Sequence, residues 1–309
     1  MPVTIGPTRL SFGIKTSQMG LSYDDILTTW READTMPVFE HAWLWDHMVP
    51  LRGDVHAAAL EAWTLLSALA AQTTRLRLGI MVTSNRLRLP TLLAKMAATV
   101  DIVSGGRLIF GLGAGGSVNG SYDQAVVDIV RREFDAYGVD VVSTSDAIAA
   151  LDEALTITRR IWTDTDPFDF DGRFYTLRGA IGEPKPVQQP GPPILVGASG
   201  ERLSLRVVAR HADIWSCPTT DPAEFARKSA VLDEHCAVVG RDPADVVRSA
   251  QLIIRSADAA EARAAVLSFV DAGASHLVLA GPLAALPAGQ TSVGWLAQEV
   301  VEPMLERVG

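Results

Sequence analysis

Residues 80–116 read as strand, helix, strand, each strand emptying into polar or glycine residues, and this unit constrains the fold more than any other stretch. Residues 76–82 form a near-continuous apolar run with arginine only at alternate early positions, the pattern of a strand covered on both faces. The run exits into Thr83, Ser84 and Asn85. Pro90 then opens a helix whose Leu93, Met96, Ala97 and Val100 recur at helical spacing, and Ser104-Gly105-Gly106 ends it before a strand at 108–112. In a barrel built of such units the carboxyl ends of all strands share one face, and chemistry belongs there.

The rest of the chain repeats this logic. Short apolar runs at 10–14, 42–45, 194–196, 213–216, 249–254 and 276–279 bring the strands to eight. Between them the spacing predicts helices at 59–72, 126–134, 201–209, 222–239, 260–272 and 295–307. A first helix presents Ile26, Trp30 and Ala33, opened by a capping box of Ser22 and Asp25 and stopped by Pro37. Ser145 is the expected cap of a further helix carrying Ile148, Leu151, Leu155 and Ile161 on one face. The expected fold class is therefore α/β, an eight-stranded (β/α)8 barrel forming a single domain over 1–309. Residues 115–193 stand out as an irregular insertion, rich in Pro, Gly and aromatic residues after 164, and such segments usually serve as lids.

Composition narrows the partners. With 48% hydrophobic residues the chain can bury one large core. Its net charge of −9, without a long basic run, draws it to no nucleic acid, so a small molecule is the expected ligand. Cys217 and Cys236 are too few for a disulfide framework, and neither a secretion signal nor a membrane-length apolar run is seen, so a cytoplasmic location is expected. The histidines show no metal-ligand spacing, and no metal is expected.

Three motifs sit at strand exits. Asp46 and His47 follow the second strand, where they fit either of two roles: hydrogen bonding and proton transfer at a flat heterocycle, or a capped turn beside a half-buried ring. Gly111, Gly113, Gly115 and Gly116 lie within GLGAGG, but no helix follows at once as a dinucleotide fingerprint requires. The better reading is steric, a bare backbone that lets a ligand ring approach the fourth strand. Gly197-Ala198-Ser199-Gly200 precedes a helix and offers amide hydrogens to a phosphate, or is an ordinary strand-to-helix turn. Glu201 beside it adds an opposing negative charge. Arg86 and Arg88 read as solvated surface.

Taken together, several motifs resemble the bacterial luciferase-like superfamily, in particular its coenzyme F420-dependent oxidoreductases. They are Trp45-Asp46-His47, residues 92–99 followed by Ser104-Gly105-Gly106-Arg107-Leu108, Gly111 to Gly115, Pro184-Lys185-Pro186-Val187-Gln188, Pro193-Ile194 through Gly197, Glu234-His235-Cys236, and Gly240-Arg241-Asp242-Pro243. The resemblance implies a luciferase-like TIM barrel with a lid, usually a homodimer, seating F420 or, alternatively, FMN at the strands' carboxyl ends. It implies a non-proline cis peptide within residues 80–83, and cofactor contacts from Asp46, His47, Met81, Thr83, Gly113, Gly115, Gly197, Ala198, Ser199 and Gly200. Asp46 and His47 are the implied catalytic pair, Asp46 fixing the ring and His47 orienting it or relaying a proton. The implied activity is hydride transfer between reduced deazaflavin and a small organic substrate, with C=C or C=N reduction preferred. A reduced-FMN monooxygenase and a non-catalytic flavin-binding paralogue are the alternatives. One departure bears on this: where many relatives carry Trp or a catalytic Glu, this chain has Gly116.

Overall fold

The computed structural model describes residues 9–51, 53–115, 124–286 and 288–308. Its elements run β1 Ser11–Lys15, α1 Tyr23–Thr35, β2 His41–Leu44, α2 Ala62–Gln72, β3 Arg77–Ile80, β4 Thr83–Ser84, α3 Pro90–Ser104 and β5 Leu108–Gly113. They continue as α4 Gln124–Tyr137, α5 Thr144–Thr163, β6 Phe168–Asp171, β7 Thr176–Ala180, β8 Ile194–Gly197, α6 Ser204–His211, β9 Ile214–Cys217 and α7 Pro222–Val238. Then come β10 Val247–Ile253, α8 Ala259–Asp271, β11 His276–Ala280, α9 Ser292–Trp295 and α10 Glu302–Val308. A π-helical turn, Leu296–Val301, joins the last two, so the predicted closing helix is longer and less regular than expected.

Parallel pairing in the order β3-β2-β1-β11-β10-β9-β8-β5-β4, closed by β3 on β5, makes a barrel in which β3 and β4 share one position. The ring therefore has eight strand positions and is a (β/α)8 barrel. The expected continuous strand at 76–82 is instead interrupted. Gly79 pairs with Ile109 and Thr83 with Leu112, so this side carries one more residue than its partner, and the Met81–Val82 peptide there is cis. This is a bulge, and the extra residue reverses the alternation of faces beyond it.

Local chemistry explains the helices. Ser22 and Asp25 form the reciprocal capping box expected of α1. Pro90 sits in the first turn of α3, and Gly105 closes it in the left-handed region at φ 68°, its N–H reaching back to Asp101 and Ile102. Ser143 rather than Ser145 caps α5, its hydroxyl accepting from the Asp146 N–H, and α6 begins at Ser204 rather than 201. The stretch after 164 contains an antiparallel hairpin, with Phe170 opposite Leu177 and Asp171 opposite Thr176. Alternating Phe168-Asp169-Phe170-Asp171 before Gly172 is the signal of that hairpin.

Inside the ring Trp43, Met81, Ile109, Leu195, Ile214, Val247 and Val278 pack together, with Val82 against them. A larger apolar layer fills the space between strands and helices, including Trp30, Trp63, Phe110, Trp162 and Trp215. At the amino end of the barrel the fully buried rings of His41 and His276 stack 3.9 Å apart. His41 Nδ1 accepts from the Trp43 indole at 2.7 Å, and His276 Nδ1 lies 2.8 Å from the Ser249 hydroxyl. Among the described residues no helix is long and apolar enough to cross a membrane.

Candidate functional site

Because all barrel strands are parallel, residues 45–47, 81–85, 113–115 and 197–200 follow strand carboxyl ends and lie at the same mouth. His47 and Ser199 are thus at one end of the ring. The bulge shapes the floor of this mouth. Val82 projects inward against two glycines: a methyl on Gly113 would lie 2.7 Å from Val82 Cγ2, and one on Gly197 2.9 Å from its Cγ1. The bare backbone at these positions therefore admits Val82 first of all, a role for the glycines that the sequence did not separate from ligand approach. Gly115, at φ 73°, takes a backbone conformation that favours glycine, and a methyl there would strike the Ser84 hydroxyl.

Reversal of the alternation also moves Thr83. The expectation of Thr83 at the mouth is corrected: the side chain is fully buried and its hydroxyl accepts from the Trp63 indole of α2 at 3.2 Å. Met81 stays inward, and its carbonyl accepts from Lys15 Nζ at 2.7 Å.

Asp46 is held on every side. Arg88 binds it in a two-pronged pair, Nη1 to Oδ2 at 2.8 Å and Nη2 to Oδ1 at 2.9 Å, and the Ser84 N–H donates to Oδ2 at 2.8 Å. Arg88 also reaches Glu61, the cap of α2. The arginine is not solvated surface, being 8% exposed in its side chain against 1% for Asp46. Burial opposes its charge, but the bonds to Asp46 and Glu61 outweigh that and raise its pKa. Asp46 accordingly fastens β2, β4 and the entry to α3 to one another.

His47 is paired with a residue the motif reading missed. Its Nδ1 lies 3.1 Å from Glu133 Oε2, and the Met48 N–H donates to Glu133 Oε1 at 2.5 Å. The Glu133 side chain is 4% exposed and that of His47 32%. Tyr137 and Arg132, also on α4, donate to the carbonyls of Met48 and Pro50, so α4 docks along the segment after β2. Only the amphipathic pattern of 126–134 hinted at this helix, and nothing in spacing tied Glu133 to His47, 86 residues away.

At the other glycine segment the Ala198 N–H is taken by the Ser216 carbonyl at 3.0 Å. The α6 N-terminus has no side-chain cap, and Gly200 O accepts from Ser204 Oγ at 2.7 Å. The charge of Glu201 is met by Arg227 at 2.5 Å. Among the described residues the amides of Ser199 and Gly200 have no partner and α6 starts without a side-chain cap, features that fit an anionic linker. Gly116 lies outside the described residues. Hollows of about 290 Å³ beside Arg248 and about 430 Å³ between α3 and β7 lie away from the mouth.

Comparison with known proteins agrees with the fold. The family profile described as luciferase-like monooxygenase matches residues 7–300. A phthiodiolone/phenolphthiodiolone dimycocerosates ketoreductase of Mycobacterium sp. (strain JLS) is 31% identical over 201 residues, 64% of this chain and 48% of its own. The chain spans about half the length of that relative. Among solved structures, an F420-dependent secondary alcohol dehydrogenase in complex with an F420-acetone adduct superposes with TM-score 0.81 at 17% identity, covering 94% of this chain and 98% of the other. A monooxygenase from Streptomyces bottropensis gives 0.72 at 19%, covering 96% and 100%. At such identities the likeness is one of fold.

Proposed function

This chain belongs to the luciferase-like monooxygenase family, and we propose that within it the protein is an F420-dependent oxidoreductase acting on a small organic substrate. The observation that carries the reading is the mouth itself: a floor of Val82 between two glycines, flanked by an imidazole whose orientation is fixed from behind by a buried carboxylate. A deazaflavin bound there would supply hydride transfer, the chemistry that the protein's own side chains lack.

The chain's residues do the rest. With Glu133 accepting at Nδ1, the His47 ring carries its proton on that nitrogen when neutral and offers Nε2 as acceptor, or as donor once protonated. His47 would thus hold or move a proton at Nε2. Asp46, bound by Arg88 and Ser84, keeps that segment in place and is a positioning residue in this reading. Ser199, Gly200 and the start of α6 would hold the anionic linker. Reduction of an activated C=C or C=N bond is the proposed direction, and a homodimer the proposed assembly. The family description and the Streptomyces structure favour a second reading, a reduced-FMN monooxygenase. Anaerobic assays with reduced F420 and activated alkenes or imines, set beside oxygen-consumption assays with reduced FMN, separate the two. Substrate-dependent oxidation without oxygen supports the first, and oxygen-dependent turnover of FMN alone overturns it.

A further inference from the structure

We propose that Lys15 is a positioning residue of the mouth, its amine tying the Met81 carbonyl on one side of the ring to Gln251 on the other and so fixing the Val82 floor. Lys15 is the last residue of β1, where a charged side chain ends a run of buried residues. Its Nζ donates to Met81 O and to Gln251 Oε1, both at 2.7 Å, and stands 4.9 Å from the centre of the Trp45 ring. Two donors are thereby spent on the bulge that follows β3 and on β10, which are not neighbours in the barrel, and the same amine stands over an aromatic face. Trp45 is clamped in turn by Gln18, which donates to its carbonyl at 2.6 Å and accepts from its N–H at 3.1 Å. The next residue after Met81 is Val82, so displacing the Met81 carbonyl displaces the side chain lodged between Gly113 and Gly197.

The tie has a distinct signature because its donor is a titratable amine. Burial pushes the Lys15 amine down to about 7, and no carboxylate among the described residues offsets it. The facing groups are the Met81 carbonyl in the bulge after β3, Gln251 from β10 and Trp45 beyond β2, with the titratable His47 ring 6.1 Å from the Trp45 ring, centroid to centroid. Below about pH 7 the amine is cationic; above it the neutral amine still has two hydrogens for the same two acceptors.

The test uses the full chain labelled with ¹³C in its lysines, Lys15, Lys95, Lys185 and Lys228, and in its valine methyls. In the unliganded protein one lysine signal, absent from Lys15→Arg, is expected to titrate near 7, and Gln251→Glu is expected to move that titration upward by one unit or more. The Val82 methyl signals, assigned by Val82→Ala, are expected to shift in Lys15→Met and return toward their normal place in Lys15→Arg. A Lys15 signal that titrates with the other lysines, or Val82 signals unmoved in Lys15→Met, overturns the proposal. A second arm rests on the reading of the mouth as a cofactor seat: Lys15→Met is expected to weaken F420 binding about tenfold, and Lys15→Arg by less than about threefold. Equal affinity in Lys15→Met and the unaltered protein contradicts the positioning role. Failure of the unaltered protein to bind either F420 or FMN contradicts the cofactor reading instead, and the unliganded arm still decides the tie.

Discussion

Glu133 on α4 accepts from His47 at 3.1 Å and, through its other oxygen, from the N–H of Met48, so one buried carboxylate sets both the ring and the backbone of the segment that follows β2. If His47 moves a proton, its replacement by Ala should lower turnover by about 10²–10⁴-fold while cofactor affinity changes little. Glu133→Gln keeps the shape but no longer favours the Nδ1–H form, and a smaller fall in kcat with KM nearly unchanged is expected. Steady-state kinetics of the two variants, with cofactor titrations alongside, check this. Loss of cofactor binding in step with loss of rate would assign His47 to binding alone.

Arg88→Met should be among the most destabilising single changes at the mouth. It strips the two-pronged partner from Asp46, whose side chain is 1% exposed, and leaves a buried carboxylate with, among the described residues, only the Ser84 N–H. Breaking a buried pair in this way costs about 3–5 kcal/mol. Urea unfolding at neutral pH measures it, and the Arg88→Met, Asp46→Asn double variant should recover part of the loss.

Gly113→Ala is expected to disturb the floor directly. The new methyl would lie 2.7 Å from Val82 Cγ2, and overpacking of this kind costs about 1–3 kcal/mol. Pairing it with Val82→Ala makes room and should restore stability, read as the unfolding midpoint of both variants.

Stability should fall with acid before most carboxylates titrate. Burial holds His276 down to about 3 and His41 well below its ordinary value, so both rings are neutral when folded. Unfolded, they take up protons as pH drops below about 6.5, and each ring then removes about 1.4 kcal/mol per pH unit from there toward its folded value. The contribution is therefore complete above about pH 6.5 and lost below it. Urea unfolding at pH 7.5, 6 and 5 should show this slope, reduced in His276→Asn.

The barrel was legible because its strands are short apolar runs with polar exits, and residues 76–116 alone carry the repeating unit. What periodicity cannot express is a single inserted residue. The bulge at Met81–Val82 leaves the apolar run unbroken in composition yet turns Thr83 from the mouth to α2, and only the resemblance pointed to residues 80–83. Arg88 looked like surface because its partner Asp46 is 42 residues distant, and Glu133 and Gln251 reach His47 and Lys15 across 86 and 236 residues. Such pairs are made by barrel closure and helix docking, neither of which leaves a local spacing to read. The hairpin at 168–180 was missed for another reason: residues 164–193 read as irregular because Pro, Gly and aromatic content masked the short alternation of Phe and Asp before Gly172.

The central claim is that this mouth seats a deazaflavin, and equilibrium titration of the purified protein with F420 and with FMN, under the same buffer and followed by fluorescence, tests it most directly. The account predicts saturable micromolar or tighter binding of F420, retained in His47→Ala and weaker for FMN. Selective micromolar binding of FMN with none of F420 would contradict it.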